Sequence, residues 1–147
     1  MSARADRSAE VTWEGDLLKG NGTVQVRSGA LPGFPVSWSS RTEQPGGKTS
    51  PEELLAAAHA SCYAMAFSST LAKRGTPPER LNVRAVVSFE KGSDGWKVTR
   101  SELTVKGKVP GLDQAKFEEA ARAGEKGCPI SNALRNNVQI ILNAQLE

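Results

Sequence analysis

The sequence is short of the residues on which many enzymes rely. It has one histidine, His59, and two cysteines, Cys62 and Cys128, in 147 residues. A single histidine leaves no Ser/His/Asp set that could serve nucleophilic catalysis, and no Gly-rich phosphate loop is present. Aromatic residues make up only 5% of the chain and are not interleaved with basic ones. Lys and Arg exceed Asp and Glu by three, and they form no long run. This mildly basic balance is a weak nucleic-acid footprint, so no nucleic-acid partner is expected. The opening MSARADRSAE has no apolar stretch and no cleavage-site pattern, which predicts a cytoplasmic protein. A strongly apolar run is missing as well. Leu54 to Ala72 contains no formally charged residue, but it is mostly Ala, Ser and Thr with only three leucines. A membrane span needs about 20 predominantly apolar residues. The segment is expected to be a helix buried inside a soluble protein, with no membrane partner.

What is present fits one domain, residues 1–147. A chain of this size buries roughly 70% of its unfolded surface, so it needs neither a disulfide nor a metal to fold. The cysteines are therefore available for another task. In a cytosolic protein that task is more often catalytic than structural.

Short alternating stretches predict strands at Ala9 to Trp13, Gly22 to Ser28 and Val36 to Arg41, with a turn at Leu31 to Pro35. A helix should start after the Gly/Pro-rich loop at 43–50. Ser50 is a good cap, Pro51 suits the first helical position, and Glu53 completes a capping box. Gly75, followed by Pro77 and Pro78, should end it near Arg74. Leu81 to Glu90 and Trp96 to Val109 read as a hairpin around Gly92-Ser93-Asp94-Gly95. Asp113 can cap a helix reaching Lys126, and Cys128-Pro129 opens a short one from Ile130 to about Arg135. Val138 to Leu146 is the last strand. The order of elements is α+β.

Each candidate residue has an ordinary reading beside a chemical one. Cys62, midway along the long helix, is either a small buried apolar residue or a reactive thiolate. Burial raises a thiol pKa, so reactivity would require a nearby cation or donor, with Arg41 and His59 as candidates. Cys128 caps a helix N-terminus, where the dipole and free N–H groups lower a thiol pKa. On local physics it is the more activated of the two. His59, Cys62 and Cys128 could instead bind a metal, although metal sites usually show tighter clusters. Arg41 and Glu52 flank the loop as solvated charges or as a functional pair. Arg7, Arg27, Arg80 and Arg135 read as surface charges.

The run Pro51-Glu52-Glu53-Leu54-Leu55-Ala56-Ala57-Ala58-His59-Ala60-Ser61-Cys62-Tyr63-Ala64-Met65 resembles the helix signature of the OsmC and Ohr hydroperoxide-resistance proteins. Ala121 to Ser131, containing Gly127-Cys128-Pro129, resembles their second cysteine motif. Trp13-Glu14-Gly15-Asp16 and Gly20-Asn21-Gly22-Thr23 resemble their first hairpin. The wording is closer to the OsmC branch. The resemblance implies an intertwined homodimer with two antiparallel sheets around a long buried central helix. It implies a thiol peroxidase in which Cys62 attacks, Cys128 resolves, Arg41 pairs with the thiolate and Glu52 holds Arg41. The substrates implied are organic hydroperoxides and, less efficiently, hydrogen peroxide. An external dithiol would act as reductant, with no cofactor and no metal. A metal-binding or redox-sensing protein using the same cysteines is the alternative.

Overall fold

The computed structural model describes residues 3–147. They fall into two compact units, one ending at Pro51 and one comprising Glu52–Glu147. The first unit is an antiparallel meander of β1 (Ala9–Glu14), β2 (Asn21–Val26) and β3 (Phe34–Val36), in the order β1-β2-β3. Pro35 is tolerated because β3 is an edge strand.

Helix α1 (Trp38–Thr42) follows, where the sequence predicted a strand over Val36 to Arg41. The serines decide this. The Ser40 backbone N–H donates to Ser37 Oγ at 3.1 Å, and the Ser37 N–H donates to Ser40 Oγ at 3.0 Å. That reciprocal capping box satisfies two donors at a helix start. Ser40 Oγ also reaches the Thr49 carbonyl at 2.8 Å and pins the turn to the following loop.

The second unit is built around α2 (Pro51–Lys73). At ~1.5 Å per residue this helix is roughly 35 Å long. Its end follows the sequence. Gly75 takes φ +84°, the Gly75 N–H donates to the Ala72 carbonyl and the Thr76 N–H to the Leu71 carbonyl, both at 3.0 Å. This is the paired bonding that satisfies the last helical carbonyls.

The sheet of this unit has the order β4-β5-β6, with β4 Arg80–Gly92, β5 Gly95–Lys108 and β6 Gln139–Leu146. β4 and β5 form the expected hairpin, but β6 runs parallel to β5. This sheet is therefore mixed rather than wholly antiparallel. The chain between β5 and β6 carries α3 (Gln114–Lys126) and α4 (Pro129–Leu134), a helical crossover long enough for parallel pairing.

The core lies where α2 and α3 meet the sheet. Tyr63, Phe67 and Leu71 of α2 pack with Leu103, Val105, Phe117, Ala120 and Ala121. The Phe67 and Phe117 rings are 5.1 Å apart at 54°, and the Tyr63 and Phe67 rings 5.6 Å apart. These are favourable tilted arrangements. The Tyr63 hydroxyl donates to the Ala121 carbonyl at 2.9 Å. By length and composition α2 is apolar enough to cross a membrane, with a mean hydropathy of 1.2 over 18 residues. Within the chain it is buried along one stripe and not all round. Ser61 is exposed, and Met65 is 68% exposed. One sheet and α3 can cover only one face of a helix.

Gly107 lies under the Phe117 ring, where a Cβ would fall 2.7 Å from two ring carbons and 2.9 Å from Leu81. Replacing a strand glycine by alanine ordinarily gains roughly 0.5–1 kcal/mol. Here overpacking against a fully buried ring should dominate. Gly107→Ala is expected to destabilise by about 1–3 kcal/mol in urea unfolding. A stabilised variant would mean that α3 does not sit against β5 as described.

Candidate active site

The two thiols come from different elements of the second unit, and both are free. Cys62 lies midway along α2 and is half-buried. Cys128 caps α4, as its place before Pro129 predicted, and is wholly buried. Its sulfur accepts the Ser131 backbone N–H at 3.4 Å. By its helix-cap position Cys128 is the more activated thiol. Its burial leaves Cys62 as the one that solvent can reach.

Burial pushes the Cys62 thiol above its ordinary 9.0. The Ile130 backbone works against that rise, while the neighbouring Cys128 thiol adds to it. The first turn of α4 therefore lies beside both sulfurs, with the Ser131 N–H on Cys128 and the Ile130 backbone lowering the Cys62 pKa.

His59, considered above as a donor to Cys62, is committed elsewhere. Its ring is fully buried. Nδ1 is 2.7 Å from Ser101 Oγ, and Nε2 is 2.7 Å from Ser131 Oγ. A neutral imidazole offers one donor and one acceptor, so one serine donates to the ring and the other accepts from it. Both nitrogens are occupied, and the ring faces serines rather than sulfurs. Among the described residues no three His, Cys, Asp or Glu side chains are grouped to hold a metal.

Arg41 lies on α1 in the first unit, its guanidinium carbon 5.7 Å from the Trp38 ring centroid. Glu52 lies in the first turn of α2 and is buried. Arg135, expected to be a surface charge, is an ion-pair partner instead. Its Nη2 is 2.9 Å from Oε1 of Glu125, a carboxylate with only 12% of its side chain exposed. The pair bridges the turn between α3 and α4.

Three participants escaped the sequence reading. Ile130 acts through its backbone, which side-chain identity does not reveal. Ser131 stands three residues after a Cys-Pro helix start, a position whose N–H meets the cap. Ser101 had the clearest signal. It occupies the inward register of β5 shared by Leu103, Val105 and Gly107, where a polar residue requires a partner.

Burial also lowers the His59 pKa below 6.5, a fall the nearby Glu125 charge partly opposes. The unfolded chain then binds more protons than the folded one as pH drops below 6.5. Stability therefore rises with pH through that window and is lost as pH falls through the folded-state value. We expect His59→Gln to remove this part of the slope in urea unfolding between pH 5 and 7. Parallel curves for parent and variant would show that His59 is not held neutral.

Residues 44–143 match the family described as OsmC-like protein. The chain is 37% identical to peroxiredoxin OsmC of Escherichia coli, over 96% of both chains. It is 31% identical to organic hydroperoxide resistance protein-like 1 of Staphylococcus saprophyticus, over 84% of this chain and 86% of that one. Among solved structures, organic hydroperoxide resistance protein OhrB of Bacillus subtilis superposes with a TM-score of 0.75 at 26% identity, covering 94% of this chain and 98% of that one. An organic hydroperoxide resistance protein of Elizabethkingia anophelis superposes over the full length of both chains with a TM-score of 0.78 at 24% identity, which supports the fold. On the family match and the near full-length identity to the Escherichia coli protein, the chain belongs to the OsmC-like family.

Proposed function

We propose that this chain is a thiol-dependent peroxidase that reduces organic hydroperoxides, and hydrogen peroxide less efficiently. The observation that carries the reading is one solvent-reachable thiol, Cys62, with a second, buried thiol, Cys128, close enough to raise its pKa. The relatives named peroxiredoxin and organic hydroperoxide resistance protein support it.

Cys62, as thiolate, attacks the outer peroxide oxygen. The O–O bond breaks, the alcohol leaves with a proton, and Cys62 becomes a sulfenic acid. The Cys128 thiol then attacks the Cys62 sulfur. An S–S bond forms, the S–O bond breaks and water departs. An external dithiol regenerates both thiols by exchange. No cofactor or metal is needed, since the peroxide is oxidant and the dithiol reductant.

Desolvation raises the Cys62 pKa, and the Ile130 backbone alone does not reverse that. A cation is required, and we assign the role to Arg41, oriented by Glu52, as the family motif implies. A guanidinium stays charged at working pH and can donate to a thiolate and a carboxylate together. We also infer a cytoplasmic homodimer acting as one domain per chain. Val11 and Trp13 of β1 and Met65 of α2 are apolar and exposed in the single chain, as surfaces covered by a second copy would be.

One equivalent of an organic hydroperoxide should convert two free thiols to none, read by intact mass and thiol titration. Survival of both thiols would sink the proposal. Cys62→Ser should abolish turnover, and Cys128→Ser should leave a sulfenate that dimedone labels. If Cys128→Ser alone blocks the first oxidation, the roles are reversed. Arg41→Ala should move the rate of Cys62 oxidation to higher pH, and an unmoved profile would remove Arg41 from the site.

A further inference from the structure

The disulfide step requires Cys128 to meet the Cys62 sulfur in line with the breaking S–O bond. Cys128 belongs to α4, which has only six residues. A helix this short has no independent stability, so its place is set by what holds it. Two ties leave it. Arg135 reaches Glu125 at its far end. At its first turn, Ser131 Oγ meets His59 Nε2 at 2.7 Å, while the Ser131 backbone N–H donates to the Cys128 sulfur. The other side of the ring is anchored by Ser101 Oγ, also at 2.7 Å. Ser101 sits mid-sheet, paired with Val87 of β4 and Ile140 of β6. His59, Ser101 and Ser131 are all fully buried.

We propose that His59 is a positioning residue for the resolving step, clamping the first turn of α4 between α2 and the centre of the sheet so that Cys128 is aimed at the Cys62 sulfur. The inference rests on the peroxidase reading given above. Three observations converge on it. His59 lies one turn before Cys62 on the same helix, so the clamp acts beside the reacting atoms. Ser131 is joined to His59 through its hydroxyl and to Cys128 through its amide, so one residue transmits the position. Both contacts are hydrogen bonds, which are directional. Apolar packing would keep α4 in the core but would leave its rotation and register loosely specified, whereas a fully satisfied buried polar network selects one arrangement. Every buried side-chain nitrogen and oxygen among the described residues has a partner. The burial that keeps the ring neutral also keeps it able to accept as well as donate.

His59 touches neither sulfur through its ring nitrogens, so it should affect the two chemical steps unequally. A misplacement of about 1 Å can cost on the order of a hundredfold in a positioned reaction. The test mixes parent, His59→Gln, Ser131→Ala and Ser131→Thr proteins with one equivalent of tert-butyl hydroperoxide. It follows sulfenate formation and disulfide formation separately, by dimedone trapping and by loss of the second thiol. For His59→Gln and Ser131→Ala, sulfenate formation should stay within about threefold of the parent while disulfide formation slows at least tenfold, on the scale of that positional loss. Dimedone-labelled protein should then accumulate. Ser131→Thr, which keeps the hydroxyl, should restore the disulfide rate. If both steps slow together, or neither slows, or threonine fails to rescue, the proposal is overturned. Ser131→Ala removes one hydroxyl and carries the test by itself should His59→Gln fail to fold. A parent protein that forms no sulfenate would overturn the peroxidase reading instead, a different outcome from parent-like disulfide formation in the variants.

Discussion

The stripe of His59, Tyr63, Phe67 and Leu71 on α2 has to be covered, and the second unit is arranged to cover it. Their spacing of four keeps them on neighbouring turns of one face. Full burial of a large apolar side chain stabilises by roughly 1.5–3 kcal/mol, so the aromatic and aliphatic members alone supply several times that. The cover consists of the inward register of β5 and the α3 face carrying Phe117, Ala120 and Ala121. The close approach of Gly107 to the Phe117 ring shows how little space remains.

The same burial sets the chemistry. Cys62 packs beside this core rather than within it, so it keeps a path to solvent while paying part of the desolvation that raises a thiol pKa. A thiol so placed is a poor nucleophile unless its anion is stabilised. In the first turn of α4 the Ser131 N–H donates to the Cys128 sulfur, and the Ile130 backbone lowers the Cys62 pKa. The stripe's polar member, His59, is satisfied on both sides, which turns a costly buried ring into a directional tie between the cysteine helix and the cap of α4.

Much of this was legible before any coordinates. Pro51, Asp113, Gly75 and Cys128-Pro129 mark helix ends by local rules, and α2, α3 and α4 begin or stop beside them. The β4–β5 hairpin followed from alternation around a Gly-bounded turn. Failures came where two local signals competed or where partners were distant. Val36 to Arg41 has strand-like alternation, but the Ser37–Ser40 capping box makes a helical turn of it. The direction of β6 depends on the crossover path of α3 and α4, not on its own residues. Arg135 looks like any surface arginine until the chain reverses at Gly127 and brings Glu125 to it.

Size and composition alone left the two cysteines without a structural duty, because a chain of 147 residues needs no covalent staple. Sequence also determined that Cys128 caps a helix, since Pro129 and the preceding glycine act through nearest neighbours. Which thiol solvent can reach and how the lone histidine is used were decided only by tertiary packing. Burial and hydrogen bonding across His59–Ser101 and His59–Ser131 join residues dozens of positions apart, and no local pattern encodes that proximity.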